Sequence, residues 1–465
     1  MNNLMLGTSR VDITPAPGTP QGGWGAQTHQ RGLEADLPLY ATALVLSNSD
    51  TEVAIIDVDS IGFDAEWTGK IIKAVAALTK ISRERIRLSC THTHSGPNTF
   101  RLSVISEGLD AILSYLDGLP SRIAGAVWQA QRNTVPVRCA GGAGKCEINV
   151  NRRFKLPDGR IVIGRNWQGP TDPAVRVIRF DTLDEETVAT IVHYACHPTT
   201  MAWQCRHFTP DFPGVVRQVV ERNVGGTCLF LQGAAGNQTP RRGFTGDLKV
   251  YRQLGQRLGL EAAKTAACIE TLPRREHLES VIESGTAIAV YADRPVEPER
   301  AVLRVASRSL SLPLKSFPPP EKLESEALTL QSDLDRLRTE GTDEEIRAAT
   351  ARATQAAMRA DRARIYHGKT HIDWQLQGIK IGDIALLAVP GEPFIEISQQ
   401  IVANSPFAHT LFSGYSNGGF GYLPVRGAYA EGGYEAEISL FSPEAAEIVI
   451  QEGLRMLDDL ARDNP

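Results

Sequence analysis

Two apolar runs constrain this chain more than any other feature: Tyr40-Ala41-Thr42-Ala43-Leu44-Val45-Leu46 and Val53-Ala54-Ile55-Ile56-Asp57-Val58, joined through the turn-forming Ser47-Asn48-Ser49-Asp50. They read as the two strands of a hairpin. A helical pattern follows over roughly 64 to 80, and Arg85-Ile86-Arg87-Leu88-Ser89 then reads as a short strand running straight into a histidine-rich turn. Strand, helix and strand in this order predict an α/β fold with a mixed β-sheet core flanked by helices. Similar patterns place further strands at 175–180, 188–194, 227–232, 372–380 and 383–389, and helices near 109–131, 212–223, 248–270 and 443–462.

After Pro318-Pro319-Pro320 the composition changes. Residues 321–364 are rich in Glu, Ala, Arg, Leu and Gln, with a Gly341-Thr342 break in the middle. That is the pattern of a helical hairpin inserted into the core. Three roles stay open for it: the arm of a homodimer, a lid, or a solvated connection.

The 465 residues carry a formal charge of -5, with a pI near 6.1. This leaves no basic face for nucleic acid and no polybasic stretch for anionic lipid, so a small-molecule substrate fits better. The N-terminal Met1-Asn2-Asn3-Leu4-Met5-Leu6-Gly7 lacks the charged and apolar regions of a leader, and no later stretch reaches the roughly 18–20 apolar residues of a membrane span. The expectation is a cytoplasmic protein without stable membrane association. Seven scattered cysteines without CxxC spacing read as free, mostly buried thiols.

Thr91-His92-Thr93-His94-Ser95-Gly96-Pro97 follows a strand directly, at the end of the strand where open α/β sheets hold ligands. Histidines one residue apart cannot share a helix face. In a tight turn both can approach one metal, or one can bind while the other acts beside it; a pair of hydrogen-bonded loop histidines is the plainer alternative. In Val192-His193-Tyr194-Ala195-Cys196-His197-Pro198, His193 lies within a strand and reads as a core residue, whereas His197 closes the strand and suits ligation. Leu386-Leu387-Ala388-Val389-Pro390-Gly391-Glu392 has the same form, with a carboxylate at the turn. Two histidines and a carboxylate are a ligand set for a catalytic zinc with an open position.

These strings, taken with Gly7-Thr8-Ser9-Arg10-Val11-Asp12-Ile13-Thr14-Pro15, Asn149-Val150-Asn151-Arg152, and Asn417 to Tyr422 with Tyr434-Glu435, occur in an order that resembles the neutral/alkaline non-lysosomal ceramidase superfamily, specifically its N-terminal catalytic domain. The resemblance implies one zinc per chain, held by His92, His197, Glu392 and Tyr422. His94 matches the family's second histidine, a proton shuttle or oxyanion stabiliser beside the metal. Arg152 and Tyr434 match further catalytic groups, although Arg152 would equally suit an ion pair with a surface carboxylate. Zinc in such a set lowers the pKa of a water to roughly 7 and polarises a carbonyl, which suits amide hydrolysis.

The chain departs from the family in places. Where the family has Gly-Asp-Val-Ser-Pro, this sequence has Gly236-Asn237-Gln238-Thr239-Pro240, so a serine nucleophile has no residue here. Asn237 and Thr239 are expected only as substrate-binding groups. Asp211 suits a helix N-cap or a partner for a ligand histidine. Family members also carry a secretion signal and an immunoglobulin-like second domain, whereas residues 1–465 read as one catalytic domain. The expected function is a zinc-dependent hydrolase cleaving an amide of a small non-lipid substrate. The alternatives are a true ceramidase acting on N-acyl sphingoid bases, a non-catalytic zinc-binding scaffold, and a zinc lyase or lactonase.

Overall fold

Strict alternation along the first strands makes every second side chain face a different core. In the computed structural model, which describes residues 4–25, 27, 29–100, 102, 105, 107–296, 302–419 and 421–462, eight strands form a mixed sheet. They are Leu4–Asp12 (β1), Tyr40–Ser47 (β2), Glu52–Val58 (β3), Ile86–Cys90 (β4), Val135–Lys145 (β5), Ala174–Thr182 (β6), Thr187–Tyr194 (β7) and Thr227–Gln232 (β8), ordered β8-β7-β6-β5-β1-β2-β3-β4. The β3-β4 and β7-β8 pairs are parallel. A second sheet, Leu303–Pro313 (β9), His371–Ile381 (β10), Ile384–Ala388 (β11) and His409–Ser413 (β12), ends in the parallel pair β11-β12.

The two sheets pack face to face. Leu44 and Leu46 of β2 and Val53 and Ile55 of β3 meet Ile379, Ile381, Ile384 and Leu386 of the second sheet in one buried cluster. The intervening residues, Ala43, Val45, Ala54 and Ile56, point the other way, onto Ala65–Thr79 (α1) and Leu109–Arg132 (α2). Further along the same outer face, Phe212–Val224 (α3) and Leu248–Ala267 (α4) cover β6, β7 and β8. The far side of the second sheet packs on Ile395–Ala403 and Ala445–Ala461. The result is helix, sheet, sheet, helix: the expected mixed α/β core, with two stacked sheets at its centre.

The predicted strands and helices are present within a few residues. Missing from the sequence reading are, among others, β1, β5, β9 and β12, the strands Asn149–Lys155 and Ile161–Asn166, the helix Ile395–Ala403, and the exposed hairpin Arg274–Glu283 with Ala287–Pro295. In β5, Gly141, Gly142 and Gly144 hide the strand pattern. A Cβ at Gly142 would stand 2.8 Å from Ile269 and one at Gly144 2.3 Å from Thr265, so these two permit close approach of the α4 segment, while Gly141 does so for His409.

The helical insertion forms as Pro320–Glu340 (α5) and Asp343–Tyr366 (α6), with Thr342 and Glu345 completing a capping box at the break. All seven cysteines are free. Among the described residues no helix is long and apolar enough to cross a membrane. Met1-Asn2-Asn3 of the N-terminal stretch and Phe420 within the Asn417 to Tyr422 string lie outside the described residues.

Candidate active site

Each parallel pair sends its carboxyl ends toward one place, as open α/β sheets do with ligand-bearing loops. His92 leaves β4 two residues after Cys90, His197 follows β7, and Glu392 follows β11. His92 has a left-handed backbone, φ 66, unusual for a residue with a side chain. It is held there by hydrogen bonds from Thr91 N to Val58 O and from its own N to Ser60 O, both 2.9 Å.

The imidazoles converge. His92 Nε2 lies 3.1 Å from His197 Nε2 and 3.3 Å from His94 Nε2. Glu392 Oε2 lies 3.2 Å from His197 Nε2 and 3.5 Å from His92 Nε2. One ring nitrogen from each of the three histidines falls within 4.8 Å of the others. Behind them, each Nδ1 faces a backbone carbonyl: His92 meets Ile61 O at 2.6 Å, His94 meets Gly23 O at 2.9 Å, and His197 meets Ala235 O at 2.7 Å. A carbonyl can only accept, so each Nδ1 carries the proton and each Nε2 keeps a lone pair. Burial, then the neighbouring imidazoles, holds His94 well below its ordinary value, while burial and Arg152 push His197 down to about 4.

This donor set fits a metal. Three lone pairs and a carboxylate oxygen crowd together with no proton between them, and Glu392 Oε2 is buried without a hydrogen-bond donor. Edges of 3.1, 3.2 and 3.5 Å match the ~3.3 Å expected between ligands of a tetrahedral zinc with ~2.0–2.1 Å bonds. Burial works to raise Glu392, and positive charge facing it lowers it well below its ordinary range, so the carboxylate ionises only with a cationic neighbour. Tyr422 is buried and lies nearly parallel to the His197 ring, 6.3 Å between centroids.

Arg152 has a buried partner rather than a surface one. Its Nε donates to Glu435 Oε1 at 2.6 Å, Arg153 Nη1 donates to the other carboxylate oxygen at 3.1 Å, and the guanidinium carbon lies 5.1 Å from the centre of the Tyr422 ring. Arg152 Nη2 is buried without a hydrogen-bond partner. Tyr434 packs edge-on against Tyr422, 5.8 Å between centroids.

A cavity of about 300 Å³ opens onto this centre. Its base is formed by His92, His94, Glu392 and Tyr422, flanked by Arg152, Tyr415 and Tyr434; its walls are Trp24, Ile61, Phe100, Ile163 and Phe244. The sequence reading missed Trp24 and Tyr415. Trp24 sits in Gly22-Gly23-Trp24-Gly25, an aromatic in a glycine loop whose only signal is composition, and packs at a tilt against His94, 5.2 Å between centroids. Tyr415 packs its ring 4.3 Å from His92, with its hydroxyl buried and unpartnered.

Asn237 and Thr239, expected as substrate-binding groups, do not line the cavity. Asn237 is fully buried: Nδ2 donates to Glu396 Oε2 at 2.8 Å and Oδ1 accepts from Ile395 N at 2.9 Å. Thr239 pairs with Thr199 Oγ1 at 3.3 Å, and it is Thr199 that reaches the cavity. Thr239 lies in the strand Gln238–Pro240, whose pairing with Asn149–Lys155 turns it into the protein, while Asn237, just before that strand, is held by Glu396 and Ile395. Asp211 caps α3, accepting from Phe212 N at 2.6 Å, and also anchors the loop after His197 through Thr200 N at 3.0 Å. His193 is the core residue expected, with Nε2 donating to Phe412 O at 2.9 Å.

Residues 4–237 match the family described as neutral/alkaline non-lysosomal ceramidase, N-terminal. The chain is 26% identical over 396 residues to the neutral ceramidase of Pseudomonas aeruginosa, covering 77% of this chain and 57% of that protein. Two solved structures share the fold. One, described as a ceramidase complexed with C2, has a TM-score of 0.68 at 19% identity; the other, neutral ceramidase from Pseudomonas aeruginosa, has 0.67 at 20%. Both alignments span 99% of this chain and 75% of the other. Glu392, Tyr422 and Tyr434 fall outside the family-matched span, and it is geometry that ties them to His92, His94 and His197.

Proposed function

We propose that this chain, which belongs to the neutral/alkaline non-lysosomal ceramidase family, is a metal-dependent amidase hydrolysing N-acyl sphingoid bases. Relatives described as ceramidases favour this lipid amide over the small non-lipid amide expected from the sequence. The observation that carries the reading is the meeting of two unlike surfaces: aromatic walls of Trp24, Phe100 and Phe244 run down to a base of imidazole and carboxylate. Burying an aliphatic chain against such walls gains roughly 0.8 kcal/mol per CH₂, and only the base carries groups that act on a carbonyl.

Zinc, one per chain, is the proposed cation, with His92, His197, Glu392 and Tyr422 as its ligands. When bound it supplies a Lewis acid that polarises the amide carbonyl and acidifies water. The chain's own residues do the rest. His94, its Nδ1 proton held on the Gly23 carbonyl, uses Nε2 to take a proton from the attacking water and return it to the departing amine nitrogen. As a C–O bond forms to water and the C–N bond breaks, the hydroxyls of Tyr415 and Tyr434 donate to the oxygen that gains charge. Arg152, fixed by Glu435, adds positive charge beside Tyr422. We take the described residues as one catalytic domain.

The test uses purified protein stripped by a chelator and reloaded with zinc. It is assayed on a long-chain fluorescent ceramide beside small amides, esters and lactones. Ceramide turnover by the loaded form only, with one zinc per chain, is expected. Turnover of small amides with ceramide untouched would overturn the lipid reading, and stoichiometric zinc without any turnover would favour a scaffold.

A further inference from the structure

The α5–α6 hairpin has two working faces. Ala349 and Ala353 of α6 bury against Leu334 of α5, and Ala356, Ala360 and Ala363 continue the stripe. A second stripe, Ala351, Thr354, Gln355 and Met358, recurs at helical spacing and lines the cavity above the metal centre. Arg362 donates to the carbonyl of Ile438, the end of the short helix that begins at Tyr434, and Arg359 bonds Glu326 of α5 at 2.6 Å. The insertion is therefore anchored as a roof over the site.

We propose that this face of α6 sets the length of aliphatic chain the cavity accepts, with Met358 as the stop and Ala351, two helical turns away on the same face, as open space. The proposal rests on the amidase reading only in taking that chain to be an acyl group. At about 300 Å³ the cavity lies at the lower end of the ~300–1,000 Å³ typical of ligand pockets, so a growing chain soon meets the roof. Both side chains face the cavity rather than α5, so changing them alters the space without removing the helix packing.

The test measures Kd for saturated fatty acids, from acetate to palmitate, on the zinc-loaded full chain by calorimetry, with ceramide hydrolysis followed in parallel. For the wild type, affinity rises with chain length and then levels off. Met358→Ala moves the levelling point to longer chains and raises the palmitate-to-hexanoate affinity ratio about tenfold or more; Ala351→Phe lowers it by a similar factor. A ratio within about twofold of wild type in either variant, with zinc content and Tm retained, overturns the proposal. Shifted ratios without ceramide hydrolysis would remove the ceramidase reading and leave the roof assignment standing.

Discussion

Glu392 and Tyr422 are register partners in a two-residue parallel pairing, Glu392–Pro393 with Tyr422–Leu423, and Glu392 N donates to Gly421 O at 2.9 Å. One backbone ladder thus carries two of the four proposed ligands. It depends on Gly391, at φ 76, where a Cβ would stand 2.6 Å from Gly421 O. Glu392→Gln removes the charge facing two imidazoles, and zinc affinity is expected to fall more than about a hundredfold, beyond the loss typical of altering a group behind a ligand. Gly391→Ala is expected to weaken zinc as well, by forcing the pair apart. Competition with a chelator of known affinity measures both; wild-type affinity in Gly391→Ala would show that the pairing does not position the ligands.

Arg217 bonds Asp57 Oδ2 at 2.9 Å and Asp59 Oδ2 at 2.5 Å, all three side chains buried, and Asp59 Oδ1 accepts from Thr91 Oγ1 at 3.3 Å, next to His92. Arg217→Met leaves two carboxylates without their cation. Breaking a buried pair this way is expected to cost about 3–5 kcal/mol in urea unfolding. Zinc affinity should fall with it, because Thr91 loses its anchor. A loss below about 1 kcal/mol would mean the carboxylates shed their charge by protonation at little cost.

Tyr415, at φ 54 and against His92, buries a hydroxyl that bonds to nothing among the described residues. Tyr415→Phe is expected to stabilise the fold by about 1 kcal/mol, since an unsatisfied polar group is removed. It is also expected to lower kcat about a hundredfold, the scale of losing one oxyanion donor, with little change in KM. Stability raised with kcat unchanged would take Tyr415 out of the reaction.

His193 is pushed down to about 4 from 6.5, first by burial and then by Arg176, with Arg87 acting the same way and Asp172 opposing. Between those values the unfolded chain binds a proton that the folded chain refuses, so stability is full above pH 6.5 and falls as pH drops toward 4. The loss is roughly 3 kcal/mol. Asp57, raised to about 6 by burial, acts with the opposite sign in part of this window, so the readout is the difference between wild type and His193→Gln. That difference should vary with pH between 4 and 6.5; a pH-independent difference would show that His193 protonates in the native state at its ordinary value.

Much of this was legible in the sequence because it is local. The strands ending at Cys90, Tyr194 and Ala388 announce themselves by apolar patterning, and the residues just beyond each end are where a parallel sheet presents ligands. The α5–α6 hairpin was equally plain from composition and its Gly341-Thr342 break. The family resemblance, not local pattern, was what pointed to Asn237 and Thr239, through the match of Gly236-Asn237-Gln238-Thr239-Pro240 to the family string. The pairing of Gln238–Pro240 with Asn149–Lys155 turns Thr239 inward, and hydrogen bonds to Glu396 and Ile395 hold Asn237 in the interior.

By itself the sequence determined which residue types stand at the ends of which strands, and so the donor chemistry of His92, His197 and Glu392. Only the tertiary structure decided that a carbonyl behind each Nδ1 aims each Nε2 at one point, that Tyr415 packs against His92 beside the base, and that α6 roofs the cavity. The physical reason is separation along the chain: His92 and His197 lie 105 residues apart, and they meet because the eight-stranded sheet curls until its edge strands β4 and β8 come together.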